Sequence, residues 1–164
     1  MSIRSAAKAI VVHEGKVLLN KCHNQRIGGY FTLPGGGQHQ HETFYEAIRR
    51  ECLEETGYEV RPVRFAALYE EIRMDPDIRS DHPDYSHIVY HVFLCELASD
   101  AVHLPTEKDS SQISSEWIDV SVLADVRLLP AAIGKNMAGI IQGTIPPFLG
   151  SEQITFEGSD GACV

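Results

Sequence analysis

The sequence predicts a single α/β domain, because its length suits one core and β-prone runs are interleaved with helical patterns. The 164 residues match the common size of one domain, and an apolar fraction of 43% is enough to bury a core. One clear helical pattern follows the first β-prone runs, and a second lies in the last third of the chain. No long biased tract or repeat is present, which argues against disorder and against a repeat architecture.

The first elements in chain order are two short strands that should form a hairpin. The runs Lys8–His13 and Lys16–Asn20 are rich in aliphatic residues, and the Glu14-Gly15 pair between them suits a tight turn. We expect the two runs to pair antiparallel. A short apolar piece then leads to Pro34 and three glycines, which neither a helix nor a central strand tolerates, so a loop is predicted there.

The next element is a helix from Thr43 to Thr56. Thr43 and Glu46 have the spacing of a capping box, in which each side chain bonds the backbone N–H of the other residue. Gly57 fits the left-handed position that often ends a helix. The sequence therefore indicates both ends of this helix.

The second half of the chain predicts more strands and another helix. Strands are expected over three runs, 60–69, 86–97 and 116–120. The stretch 122–141 is mostly helical in periodicity with a break at Pro130, and the Asp- and Pro-rich stretch 74–84 is long enough to be a functional loop. The tail, about 142–164, is predicted to add an edge strand or a dimer contact, and its role stays open.

The net charge of −9 limits the possible partners. Such a field repels a nucleic-acid backbone, whereas a small phosphorylated substrate is compatible with an acidic pocket that holds a divalent cation. The chain has no run of about 20 apolar residues and no signal-peptide pattern, so we expect a cytoplasmic protein without a membrane segment. Four cysteines without a CxxC pair predict free, buried thiols.

The most informative residues are Glu51, Glu54 and Glu55, whose spacing places all three on one side of the predicted helix. Each like-charge pair at this spacing costs about 0.2–0.5 kcal/mol, which a bound cation would convert into coordination. A plain solvated acidic face is the alternative. Arg50 lies four residues after Glu46 and four before Glu54, so it can pair with a carboxylate and fix its orientation.

The stretch Gly36–Tyr58, GGQHQHETFYEAIRRECLEETGY, resembles the Nudix box, G-x5-E-x7-R-E-U-x-E-E-x-G-U, where U is a bulky apolar residue. Every fixed polar or glycine position of the box is matched, by Gly36, Glu42, Arg50, Glu51, Glu54, Glu55 and Gly57. Cys52 and Tyr58 occupy U positions, a departure that affects packing more than chemistry. The preceding Leu33–Gly37 is similar to the usual entry into the box.

The resemblance implies a Nudix-type α/β/α sandwich, in which a mixed β-sheet lies between helices, with residues 1–164 as one domain. It also implies that Glu51, Glu54 and Glu55 bind a divalent metal together with a backbone carbonyl of Gly35 or Gly36. Arg50 would orient the carboxylates, and Glu42 would be structural. Oxygen ligands suit Mg²⁺, with Mn²⁺ as a substitute, better than zinc.

The implied activity is hydrolysis of a diphosphate linkage in a nucleoside diphosphate joined to another moiety. The alternative is a non-catalytic module of the same fold that senses a nucleotide or sugar-nucleotide. The sequence contains no GxxxxGK[ST], GxSxG or GxGxxG motif in the right context, so kinase-like, serine-hydrolase and dehydrogenase functions lose their main supports. A homodimer is expected from the resemblance.

Several residues remain candidates for the base and for substrate binding. The general base is predicted among Glu54 and Glu55 in the metal shell and three acids before Trp117, namely Glu107, Asp109 and Glu116. Substrate contacts are predicted for Arg26 and Tyr30 before the glycines and for the backbone of Gly36 and Gly37. Phe31, Tyr69 and Tyr85 are aromatic candidates for stacking a base, with core packing as the alternative.

Overall fold

The computed structural model describes residues 3–25, 27–108 and 110–155. Within these residues the chain forms nine strands and three α-helices. In chain order the elements are β1 (Arg4–His13), β2 (Lys16–Asn24), β3 (Gly28–Thr32), β4 (Gly35–Gly37), α1 (Phe44–Thr56), β5 (Tyr58–Arg73), α2 (Pro76–Asp81), β6 (His87–Val102), β7 (Gln112–Asp119), β8 (Leu128–Leu129), α3 (Ala131–Gln142) and β9 (Phe148–Ile154).

The predicted hairpin is confirmed. β1 and β2 pair antiparallel with Val12 opposite Val17. The turn residues Glu14 and Gly15 have φ values of 47° and 75°, the left-handed backbone that a two-residue hairpin turn requires.

The strands form one mixed sheet, as the fold prediction required. The strand order is β8-β3-β2-β1-β6-β5-β9, with β4 added to β1 and β7 added to β2. β1 runs parallel to β6, β5 runs antiparallel to β6, and the tail strand β9 runs parallel to β5. The tail therefore supplies an edge strand, one of its two predicted roles, while the homodimer stays a prediction.

Alternating residues of the central strands feed two cores on opposite faces of the sheet. Along β1, Ala6 and Ile10 belong to the cluster that contains Ile133 and Ile140 of α3. The intervening Ala7, Ala9 and Val11 belong to the cluster that contains Ala47, Ile48 and Cys52 of α1. Because side chains alternate across a strand, the sheet is buried on both faces between helices, and the α/β/α sandwich is confirmed.

The helix α1 has both of its predicted ends. Thr43 accepts a hydrogen bond from the Glu46 N–H, and the Glu46 carboxylate accepts one from the Thr43 N–H at 2.8 Å. Gly57 follows in the left-handed conformation with φ 76°. A β-carbon there would collide with the carbonyl of His103, so the position excludes larger residues twice over.

Three stretches differ from their predictions. The glycines 35–37, predicted as a loop, form the short strand β4, because pairing with β1 alone places them outside the central path of the sheet. Residues 74–84 are not an open loop, because Pro76–Asp81 is a short helix and Pro83–Tyr85 a 3₁₀ turn. The stretch 122–141 is helical only from Ala131; a 3₁₀ turn and the short strand β8 precede it. β8 has only two residues, too few for a sequence period to reveal.

Three of the four cysteines, Cys22, Cys52 and Cys95, are buried free thiols, as predicted, and Cys163 lies outside the described residues. Among the residues that the structure describes, no helix combines the length and apolar character needed to span a membrane.

Candidate active site

A deep cleft of about 1320 Å³ opens between the sheet, the glycine strand β4, the helix α1 and the segment around α3. The three helix carboxylates, Arg50 and the glycines all line it. It is also lined by residues of β5, β6 and the tail strand β9. The cleft therefore joins the glutamate cluster to parts of the chain far from it in sequence.

Arg50 is the centre of a charge network at one end of the cleft. Its Nε and Nη2 donate to the two oxygens of Glu42 at 2.8 and 2.9 Å. Its Nη1 donates to Glu51 at 2.7 Å and to Glu54 at 3.2 Å. The predicted pairing with Glu54 is present, whereas the Glu46 carboxylate bonds Thr43 instead. A single planar guanidinium thus orients several carboxylates.

The network fixes the ionisation of its members. The bidentate bond from Arg50 lowers the pKa of Glu42 to about 2, and the His39 N–H helps at 2.9 Å. The same bond raises the pKa of Arg50 above its usual value. Near neutral pH, Glu42 is therefore an anion that holds Arg50 in place.

Glu55 lies in a different environment, with only 9% of its surface exposed. Its Oε2 accepts hydrogen bonds from the Asn20 side chain at 2.8 Å and from the Gly35 N–H at 2.9 Å. Burial raises the pKa of Glu55 to about 6, against the opposing effects of Lys8 and of these two bonds. Both bonds fall on one oxygen, so Oε1 is available to another partner.

The backbone of Glu55 is anchored as firmly as its side chain. Gln112 of β7 donates from Nε2 to the Glu55 carbonyl at 3.0 Å and to Ser115 at 3.1 Å. Ser115 in turn donates to the Asn20 side chain at 2.8 Å. These polar residues connect α1 to β2 and β7 and hold the last turn of the helix against the sheet.

The three positions of β4 require glycine because other groups lie too close to leave room for a β-carbon. Gly35 has φ 122°, which favours glycine, and a β-carbon there would collide with the Ala7 carbonyl. A β-carbon on Gly36 would lie 2.6 Å from the Glu51 carboxylate, and one on Gly37 would lie 2.8 Å from the Arg4 guanidinium. Because glycine has no side chain, the Glu51 carboxylate can lie directly against the backbone of β4.

Lys8 brings a positive charge to this point. Its Nζ donates to the carbonyl of Leu33 at 3.3 Å and to the carbonyl of Gly35. Its positive charge also acts to lower the pKa of Glu55, against the effect of burial. The Gly35 carbonyl, one of the two backbone ligands implied for a metal, therefore already binds a cationic group.

The donor set fits a hard divalent cation. Three carboxylates and a glycine carbonyl are all oxygen ligands, and Gly36 leaves a side-chain-free cradle against Glu51. Within residues 3–25, 27–108 and 110–155, no three His, Cys, Asp or Glu side chains are grouped as a preformed metal site. The glutamates are held by Arg50 and Asn20 instead, so binding an ion requires side-chain rotation.

The structure separates the other candidates. Tyr30 is 2% exposed, packs with Cys22 and Ile27, and is absent from the cleft lining. Glu107 lines the cleft, whereas Glu116 pairs with Lys21 at 3.2 Å outside it. Arg26 and Asp109 lie outside the described residues.

Two of the three aromatic candidates for stacking a base lie in the cleft. Tyr69 and Tyr85 line the cleft, while Phe31 packs against the core cluster on the α3 side of the sheet. Sequence reasoning did not select four cleft residues with clear contacts, namely Arg4, Lys8, Asn20 and Gln112. Lys8 and Asn20 had a recognisable signal, a polar residue directly next to apolar strand residues, as Lys8 stands between Ala7 and Ala9.

An α/β/α sandwich with this loop, helix and glutamate arrangement defines a class of protein. The chain belongs to the NUDIX family, because the NUDIX domain matches residues 3–141.

Individual relatives agree with this assignment. The chain is 37% identical over 71 residues to an ADP-ribose pyrophosphatase of Methanocaldococcus jannaschii, across 43% of this chain and 42% of that protein. Its fold is similar to a NUDIX hydrolase from Nitrosomonas europaea, with a TM-score of 0.69 and 16% identity over 89% of this chain and 93% of that one. It is also similar to an ADP-ribose pyrophosphatase from Streptococcus suis, with a TM-score of 0.58 and 20% identity over 94% and 99% of the two chains.

Proposed function

We propose that this protein is a metal-dependent hydrolase that cleaves the diphosphate linkage of a nucleoside diphosphate joined to another moiety. The observation that carries the proposal is the arrangement in one cleft of Glu51, Glu54 and Glu55 beside a side-chain-free glycine strand, with Arg50 fixing two of the carboxylates. A sensor without turnover needs no such set of oriented acids.

The residues that would hold the cation are Glu51, Glu54, Glu55 and the carbonyl of Gly35 or Gly36. The bond from Lys8 to Gly35 supports this assignment, because it shows that this carbonyl is accessible to a positive group. Mg²⁺ is the cation we expect, with Mn²⁺ as a substitute. When bound, it neutralises the phosphate oxygens and lowers the pKa of an attacking water.

The residues of this chain have distinct roles in the proposed reaction. Arg50 keeps Glu51 and Glu54 oriented, and Glu42 keeps Arg50 in place. Glu55 is the best-placed base, because its Oε2 is anchored by Asn20 and Gly35 while its Oε1 can accept a proton from water. Glu54 is the second choice, since it is more exposed and already bonded to Arg50.

The substrate class rests on the named relatives. A protein that is 37% identical over 71 residues is an ADP-ribose pyrophosphatase, and a similar fold belongs to another protein of that name. The shared stretch covers 42% of the curated relative's length, so its substrate is a starting point for this chain. ADP-ribose is the first compound to test, followed by nucleotide sugars, nucleoside triphosphates and dinucleoside polyphosphates.

The test compares hydrolysis of this panel, with Mg²⁺ or Mn²⁺, by the wild type, Glu55→Gln and Glu59→Gln. Glu59 is half-exposed near the end of α1 and pairs with His103, so the control makes the same charge change outside the cleft. We expect Glu55→Gln to lose about 10²- to 10⁴-fold in kcat and the control to lose little. Equal rates for wild type and Glu55→Gln would contradict the role of Glu55, and binding without turnover of any compound would support the sensor.

A further inference from the structure

The wall of the cleft formed by β5 and the tail strand β9 carries a second group of polar residues. Tyr69, Glu71 and Arg73 alternate along β5 and therefore share one face of the sheet. On β9, Glu152 is paired with Glu71 in the parallel register. All four residues line the same cleft as the box glutamates. We call them the tail-strand wall.

The polar groups of this wall are bonded to one another, from a buried ion pair to the exposed Glu152 at the rim. Arg73 Nε donates to Glu71 Oε1 at 2.9 Å, and these side chains are only 5% and 6% exposed. Tyr69 donates from its hydroxyl to Glu152 Oε2 at 2.9 Å. A buried ion pair contributes little net stability compared with apolar residues of similar volume. Folding alone therefore gives a weak reason to place charges in this wall.

Arg4 lies between the glycines and Tyr85 in the cleft that the tail-strand wall also lines. Its guanidinium packs against Gly37 and lies over the Tyr85 ring, 4.6 Å from the centroid. Tyr85 and Arg4 line the cleft between the box and β5. A ligand whose phosphates meet the glutamate cluster therefore has a continuous surface along which to reach the wall.

Part of this wall lies beyond the family domain. The NUDIX match ends at residue 141, whereas β9 spans Phe148–Ile154. Tyr69 and Glu152 join the two parts directly. The tail thus adds a charged surface to a cleft whose chemistry lies within the matched domain.

We propose that the tail-strand wall is a specificity site that binds a neutral group with several O–H or N–H donors attached to the diphosphate. This proposal rests on the proposed function. Carboxylate oxygens of Glu71 and Glu152 accept hydrogen bonds from such donors, and Arg73 offers a donor to a neighbouring oxygen. The same carboxylates repel a further phosphate, so the wall favours a sugar or a nucleobase over a longer polyphosphate chain.

Binding measured without metal tests this site independently of turnover. We would titrate ADP-ribose by calorimetry, in EDTA, into the wild type, Glu152→Gln and Glu70→Gln. Glu152 is exposed at the rim, so its substitution leaves the core intact. Glu70 is the matched control, because it bonds Ser151 of β9 but is absent from the cleft lining. We expect about 10-fold weaker binding for Glu152→Gln and a change under twofold for Glu70→Gln.

A second ligand identifies the donor group. ADP methyl ester keeps the base and diphosphate of ADP-ribose but lacks the distal sugar. A loss confined to ADP-ribose assigns the wall to sugar hydroxyls, whereas an equal loss for both ligands assigns it to the base. Wild-type affinity of Glu152→Gln for both ligands, an equal loss in Glu70→Gln, or no binding by the wild type would overturn the proposal. A chain that shows the expected binding difference but hydrolyses no compound of the panel would refute the hydrolase and leave the site intact.

Discussion

The two sides of the glutamate turn in α1 are built in opposite ways. On one side, Glu42 is locked by the Arg50 guanidinium, and its pKa is lowered to about 2. On the other side, Glu55 is buried against Asn20 and Gly35, and its pKa is raised to about 6. Both are glutamates of the same motif. The motif thus combines Glu42, which stays charged near neutral pH, with Glu55, whose pKa lies close to neutral pH.

After Glu55→Gln, removal of the Arg50 guanidinium should have the strongest effect. Arg50→Met leaves Glu42, Glu51 and Glu54 without their shared cation, so we expect about a 100-fold loss of activity and a loss of about 1–3 kcal/mol in the free energy of unfolding. Arg50→Lys keeps the charge but not the planar fork, and should retain more stability than activity. Urea unfolding and steady-state kinetics measure both. An active Arg50→Met would show that the network is not needed for orientation.

The next prediction concerns the close approach of the Gly36 backbone to the Glu51 carboxylate. Gly36→Ala places a β-carbon 2.6 Å from Glu51, so the carboxylate must move, and we expect about a 10-fold loss of kcat. Gly29→Ala is the matched control, since a β-carbon there meets nothing within 4 Å. If both variants have the same kcat, Glu51 does not depend on this close approach.

A smaller effect is expected at Lys8, on the Glu55 side. Lys8→Met removes the ammonium group from the Gly35 carbonyl and from the vicinity of Glu55, so a divalent cation meets less competing charge. We expect about fivefold tighter Mn²⁺ binding, measured by electron paramagnetic resonance. Lys16→Met changes the net charge equally from an exposed site on β2. Unchanged binding in Lys8→Met would mean that Lys8 does not compete with the cation, and weaker binding would mean that Lys8 supports the cation site.

The smallest effect is a pH dependence on the Arg50 side. The pKa of Glu42 in the folded state lies below the usual value of 4.5, so its stabilising contribution is complete above about pH 4.5 and is lost as the pH falls toward 2. Glu42→Gln should therefore be less stable than the wild type by about 1 kcal/mol at pH 7. The gap should narrow between pH 4.5 and pH 2 in urea titrations. A gap of constant size would assign the loss to packing.

The sequence predicted the parts of the molecule that local rules determine. The hairpin turn, the capping box at Thr43 and the glycine end of α1 are each set by neighbouring residues, and all three are confirmed. The motif also selected the box residues that line the cleft. By contrast, the short helix Pro76–Asp81 lies where composition favoured a loop; it carries Pro76 in its first turn, where helices tolerate proline, and it buries Ile78.

The remaining site residues could not be chosen because they depend on long-range contacts. Asn20 reaches Glu55 across 35 positions, and Gln112 reaches it across 57. Glu152 meets Tyr69 only through the parallel pairing of β9 with β5, which no local pattern predicts. Tyr30 shows the reverse, since its position before the glycines favoured a ligand contact but its strand turns it into a small core.

The backbone contact between His103 and Gly57 holds α1 at one position along the helix axis. The segment after β6 donates from the His103 N–H to the Gly57 carbonyl at 2.8 Å, and from the Thr106 and Glu107 N–H groups to the Glu54 carbonyl at 2.9 and 3.1 Å. A screw motion of one residue would shift the glutamates by about 1.5 Å and turn them by about 100°. These hydrogen bonds oppose that motion. The direction in which α1 presents its carboxylates is therefore set by the folded chain before any ligand binds.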